Sequence, residues 1–130
     1  MPGETKVLVE KLKSVSHPIR LRVLALLHGG EMSVCQVADT LQVPPSSISE
    51  ALRELRRAGF VTERKEGRWV FVSVMPGLDG NPLLSAILAE ALKLPESELD
   101  RLRAGMVQEQ ALAVVCHKVQ ATEGNGAGHV

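Results

Sequence analysis

The chain has 130 residues, 45% hydrophobic and 23% charged, with two cysteines and fifteen basic side chains matched by fifteen acidic ones. That is enough for one compact domain with a real core. It excludes a disulfide scaffold, a transmembrane helix (no run of 18 apolar residues) and a signal peptide at MPGETKVLVEKLK, so a soluble cytoplasmic protein with reduced thiols and no membrane partner is expected. Aromatics are limited to Phe60, Phe71 and Trp69, so the core rests on aliphatic residues, which suits helix packing. The zero net charge hides an asymmetry. Residues 1–75 carry eleven Lys/Arg and eight Asp/Glu, whereas residues 76–130 carry four and seven. A local basic cluster, Arg53, Arg56, Arg57, Arg64, Lys65 and Arg68, can bind phosphates in a neutral protein. The interleaved Glu50, Glu54, Glu63 and Glu66 also fit an ordinary solvated surface.

The elements follow in order. Residues 4–14 space Val7, Leu8 and Leu12 as a short amphipathic helix. Ser16-His17-Pro18 opens a second, mostly buried helix that Gly29-Gly30 ends. Ser33 to Gln36 reads as a capping box that starts a third helix, with Cys35 in its first turn. Pro44 and Pro45 stop that helix. A fourth begins near Pro45 or Ser46, carries the stripe Ile48, Leu52, Leu55, and ends at Gly59. Val61 and the run Trp69 to Val74 read as two strands, with Glu66-Gly67 as their hairpin turn. After a loop over 75–80, Asn81-Pro82 opens a fifth helix to about Leu94. Pro95 opens a sixth whose stripe takes in Leu99, Leu102, Met106, Ala113 and Cys116. The sequence divides into a core at 1–75, C-terminal helices at 76–120 for dimerisation or sensing, and a disordered tail at 121–130 that holds His129.

Two short helices, a tight turn and a strand pair form a winged helix-turn-helix. The fold class is therefore mainly α with a small β-hairpin wing and two additional C-terminal helices. Its second helix protrudes and fits the DNA major groove, about 12 Å wide.

The blocks SHPIRLRVLALL, EMSVCQVADTL, SSISEALRELRRAGFV and ERKEGRWVFVSV resemble, in order, those of the ArsR/SmtB family. The resemblance spans about residues 7–74 and implies a dimeric repressor that leaves operator DNA on binding a metal, a metalloid or reactive sulfur. It implies DNA contact from Ser46, Ser47, Ser49 and Arg53 on the fourth helix, and phosphate contact from Arg64, Lys65 and Arg68 on the wing. Arg56 and Arg57 fit either DNA contact or a favourable helix end. For the serines, capping is the other reading, because Ser47 to Glu50 also has the form of a capping box. Trp69 reads as hairpin packing. Pro44, Pro45, Glu50 and Ala51 depart from the family pattern, which points to an unusual operator.

Where arsenic-sensing members carry Cys-Val-Cys, this chain has Ser33, Val34 and Cys35. Trivalent arsenic takes three thiolates, so Cys35 alone cannot hold it. Cys35 and Cys116 are the candidate inducer-binding, redox or metal residues, with arsenite or another soft metal ion as the inducer and no resident cofactor. A dithiol sensor of reactive sulfur or redox state is the rival reading, and a protein-interaction module without DNA binding is another. Cys35, the second residue of its helix, has amides that favour a thiolate; Cys116 lies on an apolar stripe and fits a core position as well. His17 reads as a helix cap, and His28 and His117 as structural. No nucleotide loop or catalytic arrangement marks an enzyme. The expected partners are double-stranded operator DNA and a second copy of the chain.

Overall fold

In a computed structural model the backbone is described for residues 2–127 and side chains for residues 2–121. Residues 1 and 128–130, His129 among them, lie outside the described residues, and the tail expected from residue 121 is helical as far as Ala127. Helix α1 (Gly3–Ser14) precedes α2 (Pro18–His28), whose N-cap is His17: the Ile19 amide donates to its Nδ1 at 3.2 Å. Helix α3 (Val34–Leu41) carries the full capping box, with the Gln36 amide donating to Ser33 Oγ and the Ser33 amide donating to Gln36 Oε1. Gln42, at φ 57°, turns the chain in the left-handed region, and its Nε2 donates to the Asp39 carbonyl.

Helix α4 (Pro45–Arg57) starts at the second proline, where the lost amide costs nothing because the first turn has no acceptor for it. It ends in a Schellman turn: Gly59 has φ 80°, its amide donates to the Arg56 carbonyl, and the Phe60 amide donates to that of Leu55. Phe60 thereby drops into the core fully buried. The wing is β2 (Val61–Glu66) against β3 (Trp69–Val74), antiparallel, with Glu66 opposite Trp69. That register moves the turn one residue on from the expected Glu66-Gly67, to Gly67 and Arg68. Gly67 at φ 61° takes the first turn position, where hairpin geometry demands positive φ. A third strand, β1 (Met32–Ser33), pairs with β3 on its other edge, giving the order β1-β3-β2. Two residues are too short to show alternation, which is why the sequence suggested only a hairpin.

The C-terminal region corrects the sequence reading. Helix α5 (Pro82–Ala91) ends earlier than Leu94, and the expected sixth helix is two: α6 (Pro95–Gln108) and α7 (Leu112–Ala127). Glu109, Gln110 and Ala111 are good helix formers, so propensity favours a continuous rod. Tertiary packing wins instead. The break lets α7 turn its buried residues Val115, Cys116 and Val119 onto α3, while α6 packs Ala104 and Val107 against α2 and α3. The α6 part of the expected stripe therefore does not face the core, since Leu99, Leu102 and Met106 are 69%, 55% and 69% exposed, whereas Cys116 of α7 is buried as expected. One aliphatic core joins α2 (Val23, Leu24, Leu27), α3 (Val37, Leu41), α4 (Ile48, Leu52, Leu55), α5 (Leu84, Leu88) and the sheet (Val72). Arg22 of α2 and Asp100 of α6 form a two-pronged ion pair at 2.9 and 3.0 Å, with the Asp100 side chain 7% exposed. The bond to Asp100 holds the Arg22 guanidinium above its ordinary pKa. Among the described residues no helix is long and apolar enough to cross a membrane.

Candidate nucleic-acid interface and cysteine pair

Helix α4 buries Ile48, Ala51, Leu52 and Leu55, and so turns the opposite face outward. On that face Ser46, Ser49 and Arg53 are exposed, three and four residues apart, which places them side by side. Ser47 is half-buried on the flank. Because the helix begins at Pro45 with no side-chain cap, Ser47 and Ser49 sit inside it rather than capping it.

The six basic residues are not equivalent. Arg56 is ion-paired to Glu63 across to the wing at 2.7 Å, and Arg57 to Glu54 at 3.6 Å. Arg64 is held most firmly. It donates to both Glu31 oxygens at 2.7 and 2.9 Å and to Glu66 at 2.9 Å, and its guanidinium lies 4.6 Å from the Phe71 ring centre. These bonds keep Arg64 charged well above its ordinary range and hold the Glu31 carboxyl below its own. Lys65 is exposed on β2, and Arg68, at the wing tip, lies 5.1 Å over the Trp69 ring. Arg53, Lys65 and Arg68 make no ion pair with the other described residues that would have to open before a phosphate binds.

The cysteines meet. Cys35, in the first turn of α3, and Cys116, on the buried face of α7, form an intrachain disulfide with Cα atoms 5.0 Å apart. Two residues on from Cys116, Lys118 reaches Asp39 of α3 at 2.9 Å, and the Asp39 carboxylate is nine-tenths buried. A covalent bond and an ion pair thus fasten α7 to the first helix of the helix-turn-helix. Nothing in the sequence signals the Asp39–Lys118 pair, since its members lie far apart in the chain. The expectation of reduced thiols is not met in this state. Among the described residues no group of three or more His, Cys, Asp or Glu is placed to hold a metal ion. His117, beside Cys116, is exposed.

The two features share one cleft. A cavity of about 720 Å³ lies between α3, α4, α7 and the wing, and its lining includes Cys35 and Cys116 together with Ser49, Arg53, Arg56 and Arg68. Trp69 and His117 also border it, which makes the tryptophan a cleft wall.

Residues 17–63 match the model of the family described as "Bacterial regulatory protein, arsR family". The chain is 42% identical over 67 residues to an uncharacterized HTH-type transcriptional regulator of Methanocaldococcus jannaschii, covering 51% of this chain and 75% of that one. It is 38% identical over 60 residues to a putative arsenical resistance operon repressor of Halobacterium salinarum, 45% of this chain and 46% of the relative. It is 36% identical over 63 residues to the transcriptional activator HlyU of Vibrio cholerae, 48% of this chain and 58% of that one. The solved structure of reduced HlyU from the same organism superposes with a TM-score of 0.59 at 28% identity, over 71% of this chain and 92% of that one. The chain spans about half the length of the Halobacterium and Vibrio relatives in sequence. The outward helix, its basic wing and these matches agree: the chain belongs to the ArsR family of helix-turn-helix transcriptional regulators, a family of DNA-binding regulators rather than enzymes.

Proposed function

We propose that the chain binds operator DNA as a homodimer and that the Cys35–Cys116 pair sets its affinity, the bridged form being the one that lets go. The observation that carries this reading is the bridge between α3 and α7. It fixes α7 so that His117 borders the same cleft as Ser49 and Arg53 of the reading helix. Reduction removes the covalent tether and leaves the ion pair to Asp39 and the buried Val115 and Val119 to hold α7. In the reduced state Cys35 lies in the first turn of α3, where the helix dipole favours its thiolate and makes it the first to react with an oxidant or reactive sulfur.

The dithiol reading is favoured over arsenite for a stated reason. A three-thiolate site needs a thiol from the second copy in addition to the two in this chain, whereas the bridge is complete within one chain. The direction of regulation is left open by the relatives, whose names include both a repressor and an activator. DNA contact is assigned to Ser46, Ser47, Ser49 and Arg53 for the groove and to Lys65 and Arg68 for phosphates. Arg56, Arg57 and Arg64 contribute by exchanging their present carboxylate partners for phosphate. The dimer reading rests on two exposed apolar stripes, Val7, Leu8 and Leu12 on α1 and Leu99, Leu102 and Met106 on α6, which a second copy would cover.

A band shift with DNA flanking the chain's own gene tests this. Binding that weakens steeply with salt, and is released by a persulfide donor or diamide in the wild type but not in Cys35→Ser, supports the proposal. Release of Cys35→Ser by the same reagents overturns the switch, and release by arsenite alone restores the metalloid reading.

A further inference from the structure

We propose that the cleft beside the disulfide is a binding site for a small anionic thiol, one carrying carboxylates, which reduces the bridge and so resets the regulator. This rests on the reading that the cysteine pair cycles between two states. The cavity volume, about 720 Å³, lies within the range of about 300–1,000 Å³ typical of small-molecule sites. Its chemistry is unusual for a packing defect. Three guanidiniums, Arg53, Arg56 and Arg68, line it against a single carboxylate, Glu63. Glu63 pairs with Arg56, so Arg53 and Arg68 are left to receive an anion. The cysteine pair lines the same cleft.

The partners for each part of such a molecule are in place. Arginine forks suit carboxylates. Both cysteines line the cleft, and the thiolate is taken to attack Cys35, which is half-buried, rather than Cys116, which is only 5% exposed. Attack by the bound thiolate on Cys35 Sγ breaks the Cys35–Cys116 bond, forms a mixed disulfide on Cys35 and leaves the electron pair on Cys116 Sγ, which takes a proton from water. A second thiolate attacks the outer sulfur of the mixed disulfide and expels Cys35 as a thiolate, a good leaving group at a helix start. The protein gains two electrons, and two thiol molecules are oxidised to one symmetrical disulfide. A neutral thiol can follow the same path but has nothing for the arginines to hold.

The experiment needs no DNA, so it separates this inference from the switch. The bridge is first verified by mass spectrometry on the air-oxidised full chain. Its reduction is then followed with mercaptosuccinate, 3-mercaptopropionate, 2-mercaptoethanol and cysteamine, and each rate is expressed per thiolate and corrected for thiol pKa. Mercaptosuccinate is expected to outrun 2-mercaptoethanol by about tenfold or more at low salt, with cysteamine slowest. The preference is expected to shrink with added salt and to disappear in Arg53→Gln and Arg68→Gln, but to persist in Lys93→Gln, on the far helix α5–α6 junction. Corrected rates that follow thiol pKa alone, or an anion preference that survives both arginine substitutions, would overturn the site while leaving the switch standing. A chain that forms no bridge overturns both.

Discussion

Residues 17–75 and residues 76–127 are built on different terms. In the first stretch nearly every boundary has a local cause: the His17 cap, the Ser33 capping box, Pro45 at a first helical position, the Gly59 Schellman turn and Gly67 in the hairpin. In the second, Asn81 caps α5, but the division of α6 from α7 has no local cause at all. The first stretch contains the family match and the helix proposed to read DNA. The second is acidic and adds a helix clamped to the first by a disulfide and an ion pair. The contrast teaches that local chemistry builds the helix-turn-helix, whereas the attachment proposed to control it is decided by contacts between segments distant in sequence.

The contrast can be broken most severely from the side of the helix-turn-helix. Phe60→Ala empties a fully buried site and is expected to cost about 3–5 kcal/mol, lowering the denaturation midpoint of the whole domain. A loss confined to the wing, with α2 and α3 still protected from hydrogen exchange, would contradict the single shared core. From the other side, the bridge closes a loop with a sequence separation of 81 residues. Oxidised chain is expected to exceed reduced chain in stability by about 2–4 kcal/mol; equal urea midpoints would show that α7 is not held by it.

Smaller effects sharpen the picture. Asp100→Ala strands Arg22 between α2 and α6; with Arg22 about a quarter exposed, the cost is expected to be about 1–3 kcal/mol rather than that of a fully buried ion. A change below experimental error would mean that α6 is fixed by its apolar residues alone. Ser33→Ala removes one half of the capping box and is expected to cost about 1 kcal/mol, read as a modest fall in the thermal midpoint. A much larger fall would reveal that Ser33 matters as part of β1 too.

The winged helix-turn-helix was legible because capping, proline and glycine signals act within a few residues, and because the apolar stripe of α4 coincides with its buried face. Three features were not. β1 is two residues long. The hairpin turn shifted by one because the strand register, with Glu66 opposite Trp69, makes Gly67 the first turn residue rather than the second. The α6–α7 break runs through residues that favour helix, so only the burial of Val115, Cys116 and Val119 against α3 reveals it. The candidate site was half legible. The sequence selected both cysteines and the basic residues, but not that the cysteines join, nor that Glu31, Glu63 and Glu66 occupy Arg56 and Arg64.

The most direct test of the account is operator affinity at one fixed salt concentration, measured on the same preparation before and after oxidation, with Cys116→Ser alongside. The account predicts that oxidation weakens wild-type binding by about 5–150-fold, the span of ordinary allosteric coupling, and that Cys116→Ser binds equally well in both conditions. Equal affinity of the bridged and reduced wild type, or an oxidation response that persists in Cys116→Ser, would contradict it.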